Sequence, residues 1–175
     1  MLVLGGVLAA FVTVSTMIIR IPTPTKGYIN LGDCFVNISA WLLGPVYGAS
    51  AAGIGSALAD LLSGYTVYAP ATLVIKALMA VVSYLVFRHL AKQSNGVIAM
   101  LIASISAELV MTAGYFLFES FLYRSVAASV VGVPANLVQG IGGVVFSVVL
   151  HRVLLSRIPA VKALEQGGKP QETQE

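Results

Sequence analysis

The run Ala71–Phe87 is apolar and long enough to cross a bilayer, yet Lys76 stands in its middle. An ionisable side chain at the centre of a membrane helix costs roughly 2.5–3.5 kcal/mol on insertion scales. Asp60 and Glu108 hold comparable places in neighbouring apolar stretches. Such residues face a protein interior or a wet cavity rather than lipid. A chain that tolerates three of them is more than an anchor. It is expected to be a membrane protein built around a polar pocket.

Composition bounds the architecture. Of 175 residues, 58% are hydrophobic and only 10% charged, and mean hydropathy is +0.92. A soluble domain of this size carries more charge on its surface. With about 20 apolar residues per spanning helix, the length admits about six spans and almost no soluble domain. The expected fold is therefore all-α, a polytopic bundle of six transmembrane helices over residues 1–157. A cytoplasmic polar tail, expected to be disordered, follows over 158–175. The single Cys34 excludes a disulfide framework within the chain. The net charge of +3 is too weak for a nucleic-acid surface, and the basic residues read as topology signals.

The expected spans are Leu2–Ile19, Asp33–Leu43, Val46–Leu62, about Ala71–Phe87, Val97–Phe118, and one from near Pro134 to His151-Arg152. The first lacks a basic leader and a cleavage pattern, so it reads as a spanning helix rather than a signal peptide. Pro22 and Pro24 stop it, Gly44-Pro45 separates the second from the third, and Pro134 suits a helix's first turn. With the N-terminus inside, the inner side collects Arg88, Lys92, Arg152, Arg157, Lys162 and Lys169. The outer side holds Arg20, Lys26 and Arg124. This asymmetry places both termini in the cytoplasm of a cell-membrane protein.

Helical spacing sorts the polar residues onto faces. Asp33, Asn37 and Trp41 share one. Ser56 and Asp60 follow Gly48 and Ala52 on another, and Thr72 with Lys76 form a third. Glu108, Thr112, Tyr115 and Glu119 mark the fifth span, and Asn136, Gln139, Gly143 and Ser147 the sixth. Most lie in the outer halves and describe a cup open to the exterior. Asp60 and Lys76 flank the loop Ser63–Pro70 at depths on the order of 5–10 Å, which predicts an ion pair that is either structural or in contact with a ligand. Glu108 is read either as a carboxyl bonded to a neighbouring helix or as a ligand or proton site. Asn136 and Gln139 either bond across helices or line the pocket. In the first span Gly5, Ala9 and Thr13 form a small-residue ridge, which packs within the chain or docks another membrane subunit.

Several chemistries are missing. There is no G-x-x-x-x-G-K-[ST] phosphate loop and no HExxH pattern. His89 and His151 both fall at helix ends, so no metal is expected. No Ser/His/Asp or Cys/His set shares a depth. The chain is expected not to be an enzyme and to need no cofactor.

The stretches Gly27–Asp33, Leu42–Pro45, Gly55–Tyr65 and Tyr68–Lys76 resemble the substrate-binding S components of energy-coupling-factor (ECF) vitamin transporters. The likeness is strongest to the branch with riboflavin-type and hydroxymethylpyrimidine/pyridoxine-type members. Gly114-Tyr115-Phe116 and Pro134-Ala135-Asn136 with Gln139 fit as well. The resemblance implies six helices, a vitamin site near the outer surface and a lid made by the first outer loop. It also implies a transmembrane coupling subunit and two cytoplasmic ATPases as partners, with the ridge Gly5, Ala9, Thr13 as the docking face. On this reading Asn30, Lys76, Glu108, Tyr115, Asn136 and Gln139 bind a small water-soluble vitamin or precursor, and Ile21–Leu31 closes over it. The alternatives are an autonomous proton-coupled small-solute carrier, with Glu108 carrying the proton, and a non-transporting membrane scaffold subunit.

Overall fold

With no water in the hydrocarbon to serve backbone polar groups, the apolar stretches must form helices that satisfy themselves. The computed structural model of the chain describes residues 1–159 and Val161. It contains α1 (Leu2–Ile18), a two-residue hairpin of β1 (Ile21–Pro22) and β2 (Tyr28–Ile29), α2 (Gly32–Leu62), α3 (Ala69–Leu90), α4 (Gly96–Leu122), α5 (Val126–Val130) and α6 (Val133–Val153). A single 3₁₀ turn follows at Leu155–Arg157. The tail expected over 158–175 lies almost wholly outside the described residues.

Local chemistry sets the ends. Asn95 caps α4 by accepting a bond from the Val97 amide at 3.0 Å, and Ser125 caps α5 through the Ala128 amide at 3.2 Å. Pro70 and Pro134 sit in the first turns of α3 and α6. Arg88 with His89, and His151 with Arg152, sit in the last turns, where a helix dipole favours cations. Between α1 and α2, where a plain polar loop was expected, β1 and β2 pair antiparallel with Ile21 opposite Ile29 and Pro22 opposite Tyr28.

The break between the second and third expected spans lies inside α2. Gly44 adopts φ 78°, ψ −173°, a conformation open mainly to glycine, and Pro45 follows it. The chain turns back on itself there. Ser39 Oγ donates to the Gly48 carbonyl at 3.2 Å, a contact that a straight helix cannot make between positions nine residues apart. The two halves touch because Gly48 has no side chain. A Cβ there would lie 2.6 Å from the Ser39 oxygen.

This folded-back element is the centre of the bundle. It packs against α1, α3 and α6, while α4 joins α3 to α6. Small residues permit the approach. A Cβ on Gly53 would meet the Leu73 carbonyl at 2.7 Å, and one on Gly55 the Ala9 carbonyl at 2.5 Å. Val12, Val36, Ile38, Met79 and Met111 fill the apolar core. The exterior is apolar too, with Leu, Ile, Val and Phe side chains exposed along α1, α3, α4 and α6. Polar and charged side chains are instead buried: Asp33, Asn37, Asp60, Lys76, Glu108, Glu119 and Gln139 are each at most 6% exposed. Four helical stretches are long and apolar enough to cross a membrane, and α1 is a shorter apolar helix.

The contact at Gly48 predicts a position-specific effect. Gly48→Ala forces the two halves of α2 apart and lowers stability by about 1–3 kcal/mol, the usual range for overpacking. Gly142→Ala, where a new Cβ meets nothing within 4 Å, leaves stability unchanged or slightly raised. Thermal unfolding of both variants in detergent checks the contrast. Equal midpoints would contradict the close packing.

Candidate functional site

The links after α1, α2 and α4 gather at one end of the bundle, and the buried polar residues lie beneath them. The first layer is built around Lys76. Its ammonium forms an ion pair with Asp33 Oδ1, with both side chains at most 4% exposed. Gln139 Nε2 donates to the other oxygen of Asp33 at 2.6 Å. Gln139 Oε1 in turn accepts from the backbone and side-chain nitrogens of Asn30, at 2.9 and 3.1 Å. Asn30 Oδ1 accepts from the Gly32 amide at 2.8 Å, which ties the start of α2 to the loop before it. Met111 places its sulfur 3.1 Å from Lys76 Nζ and 3.2 Å from Gln139 Nε2. The Tyr115 ring stands 5.7 Å from the ammonium, and its hydroxyl pairs with Thr72 at 3.0 Å. Four elements thus converge on one charge: α2, α3, α4 and α6.

Below this layer Asn37 donates to Glu108 Oε1 at 3.3 Å and accepts from Ser83 Oγ at 2.8 Å. Ser83 accepts from the Trp41 indole at 3.0 Å. Trp41 packs against Phe87 and His151 toward the opposite end of the bundle. It therefore takes no part in the upper site.

Above the layer, the segment Ile21–Leu31 closes the end. Tyr68 and Tyr123 both donate to the Thr25 carbonyl, at 2.5 and 2.6 Å. Tyr28 packs at a tilt against Tyr65, with ring centroids 4.6 Å apart, and donates to Asp60 Oδ1 at 2.6 Å. Burial, and then the Asp60 carboxylate, push the Tyr28 phenol well above its ordinary pKa, so it remains a donor. Beneath this cover lies a polar pocket that encloses about 40 Å³. Asn30, Lys76, Tyr115, Asn136 and Gln139 line it, together with Thr16, Ser56, Asp60 and Glu119.

The structure corrects three expectations. Lys76 pairs with Asp33, not with Asp60, because its face of α3 looks toward the first half of α2. Asp60 is held by Tyr28 instead. Glu108 does not line the upper pocket: its carboxyl is packed below, against Gly140 and Gly143. The ridge Gly5, Ala9, Thr13 is split. Thr13 Oγ1 donates to the Gly55 carbonyl at 2.8 Å and Ala9 abuts Gly55, so those two positions pack within the chain. At Gly5 an added Cβ would meet nothing within 4 Å. Residues that reading by faces passed over include Tyr28, Thr25 and Tyr123 in the cover. Their signal was local: polar and aromatic residues crowded into the short links between apolar stretches.

Removing one member of a buried ion pair leaves the other charge uncompensated, at about 3–5 kcal/mol. Asp33→Ala is expected to lose stability on that scale. Asp33→Ala combined with Lys76→Met is expected to recover at least half of the loss. Equilibrium unfolding in mixed micelles measures the cycle, and a fully additive double variant would contradict the pairing.

Comparison with known proteins gives the arrangement its context. The family model for the ECF-type riboflavin transporter S component matches residues 1–156. A protein of Pyrococcus woesei described as an uncharacterized protein in gap 3'region is 35% identical over 148 residues, which cover 84% of this chain and 96% of that protein. Among solved structures, the S component of a bacterial ECF transporter superposes with a TM-score of 0.67 at 23% identity, covering 89% of this chain and 95% of that one. That likeness speaks for the fold, and the family match over nearly the whole length for descent. The chain belongs to the family of ECF-type riboflavin transporter S components, membrane-embedded transport subunits rather than enzymes.

Proposed function

We propose that this chain captures a small water-soluble vitamin or vitamin precursor at the extracellular face. It then delivers the molecule inward together with an ECF transmembrane coupling subunit and two cytoplasmic ATPases. The observation that carries the reading is the convergence of Asn30, Lys76, Tyr115, Asn136 and Gln139, from the cover and three helices, on one buried polar pocket. Family membership supplies the transport context. Riboflavin and molecules like pyridoxine or hydroxymethylpyrimidine are the candidates.

Counting the reversal at Gly44 as a turn between two spans gives six membrane segments. The charge asymmetry of the links then sets both termini in the cytoplasm and the covered pocket outside. Sites that take small organic molecules enclose roughly 300–1,000 Å³, and the closed pocket holds about 40 Å³. Ile21–Leu31 therefore acts as a lid that lifts to admit the ligand, releasing the bonds of Tyr68 and Tyr123 to Thr25 and of Tyr28 to Asp60. Glu108 supports the site from below through Asn37. Docking of the coupling subunit falls on the outward side of α1, where Gly6 and Ala10 are exposed beside Gly5, rather than on Ala9 and Thr13.

Asn136 lines the pocket and is half-buried, so its loss removes a ligand contact without opening the core. Asn136→Ala is expected to weaken vitamin binding about tenfold, the worth of one hydrogen bond of about 1.4 kcal/mol, with the unfolding midpoint unchanged. Titration calorimetry on the purified protein reads this. Affinity unchanged by Asn136→Ala would contradict the pocket assignment.

A further inference from the structure

The pocket contains polar oxygens that its own residues leave unpaired: two carboxyl oxygens, and two hydroxyls that can donate or accept. Thr16 Oγ1, Ser56 Oγ, Asp60 Oδ2 and Glu119 Oε2 all belong to residues that line it, and each residue is at most 4% exposed. Among the described residues, none of these four atoms has an aligned hydrogen bond. The hydroxyls of Thr72 and Thr25 stand near Asp60 and Glu119 without satisfying those oxygens. Buried polar atoms left in this state are destabilising, so a cluster of four around one pocket points to groups arriving from a ligand. Both carboxyl oxygens in the set are acceptors when ionised.

Charge sharpens the argument. Lys76 is the single cationic side chain lining the pocket among the described residues. Its charge is already matched by Asp33, whose second oxygen is held by Gln139. Asp60 and Glu119 remain as two carboxyl groups with no ion-pair partner among the described residues. An anionic ligand would bring a further negative charge into a buried site that has no free cation to receive it. A neutral or cationic ligand rich in N–H and O–H groups would meet the orphaned oxygens directly.

We propose that the ligand is an uncharged or cationic donor-rich molecule, that Asp60 and Glu119 receive its N–H or O–H groups, and that the same two residues reject phosphorylated and carboxylate forms. This rests on the vitamin-capture reading and adds the class of molecule and the residues that select it.

The test uses matched pairs on the full-length protein in detergent: riboflavin against riboflavin 5′-phosphate, pyridoxine against pyridoxine 5′-phosphate, hydroxymethylpyrimidine against its monophosphate, and thiamine against thiamine monophosphate. Biotin, pantothenate and nicotinate serve as carboxylates. Calorimetry is expected to show the tightest binder to be neutral or cationic and at least 100-fold stronger than its phosphate. Asp60→Asn and Glu119→Gln are expected to narrow that ratio at least tenfold, with unfolding midpoints confirming that both variants fold. A phosphate or carboxylate binding as tightly as any neutral molecule overturns the inference and leaves vitamin capture standing. So does a ratio unmoved in both variants. Saturable binding by no member of the panel overturns vitamin capture itself, and the inference with it.

Discussion

One buried ammonium organises this molecule. Within a lipid-embedded bundle the buried Lys76 ammonium needs a partner charge, and it is Asp33, forty-three residues earlier. Holding the pair requires α3 to pack against the first half of α2. The chain turns back at Gly44, so the second half of α2 packs on α3 as well, where Gly53 meets Leu73. Gln139 closes the circuit from α6, and Asn30 extends it into the segment over the pocket. Each neighbour satisfies a polar atom that would otherwise be stranded. The ion pair is thus the point at which helix packing, the loop before α2 and the pocket are joined.

The arrangement also separates two kinds of polar burial. Around Asp33, Asn37, Ser83 and Trp41 donors and acceptors are matched from side chain to side chain, with only Glu108 Oε2 beside Asn37 left without a hydrogen bond among the described residues, and the network stiffens the bundle. Nearer the cover, Asp60 and Glu119 are only half used, and Thr16 and Ser56 keep free hydroxyls. The matched layer gives the pocket a rigid floor. The unmatched layer is the part able to recognise something else. Rigid support beneath an under-satisfied rim is the physical form expected of a binding site.

Much of this was legible in the sequence because the bilayer imposes a narrow grammar. Apolar lengths, proline stops and polar faces located the helices, and the residues on those faces include half of those that line the pocket. Helical phase between non-sequential elements was not legible. Asp60 and Lys76 flank one loop and share a depth, which made them look like partners. Rotation of α3 turned Lys76 toward Asp33 instead, a residue read only as sharing a helical face with Asn37 and Trp41. Glu108 was misplaced for a related reason: the glycines at 140 and 143 draw its side chain to the lower layer, and glycine spacing does not announce which side chain fills the gap. The small-residue ridge of α1 was seen, but small residues mark close approach without naming the partner. Gly55 of the same chain takes Ala9 and Thr13.

The central claim is that the covered polar pocket is built to hold a specific small molecule. Mass spectrometry of the intact protein, purified gently from cells and then stripped of its passengers, addresses it most directly. The account predicts a water-soluble vitamin-sized molecule released near one per chain, and absent when Lys76 and Gln139 are both replaced by Ala in a protein that still folds. Protein that carries no such molecule, or a passenger retained in full by that double variant, would contradict it.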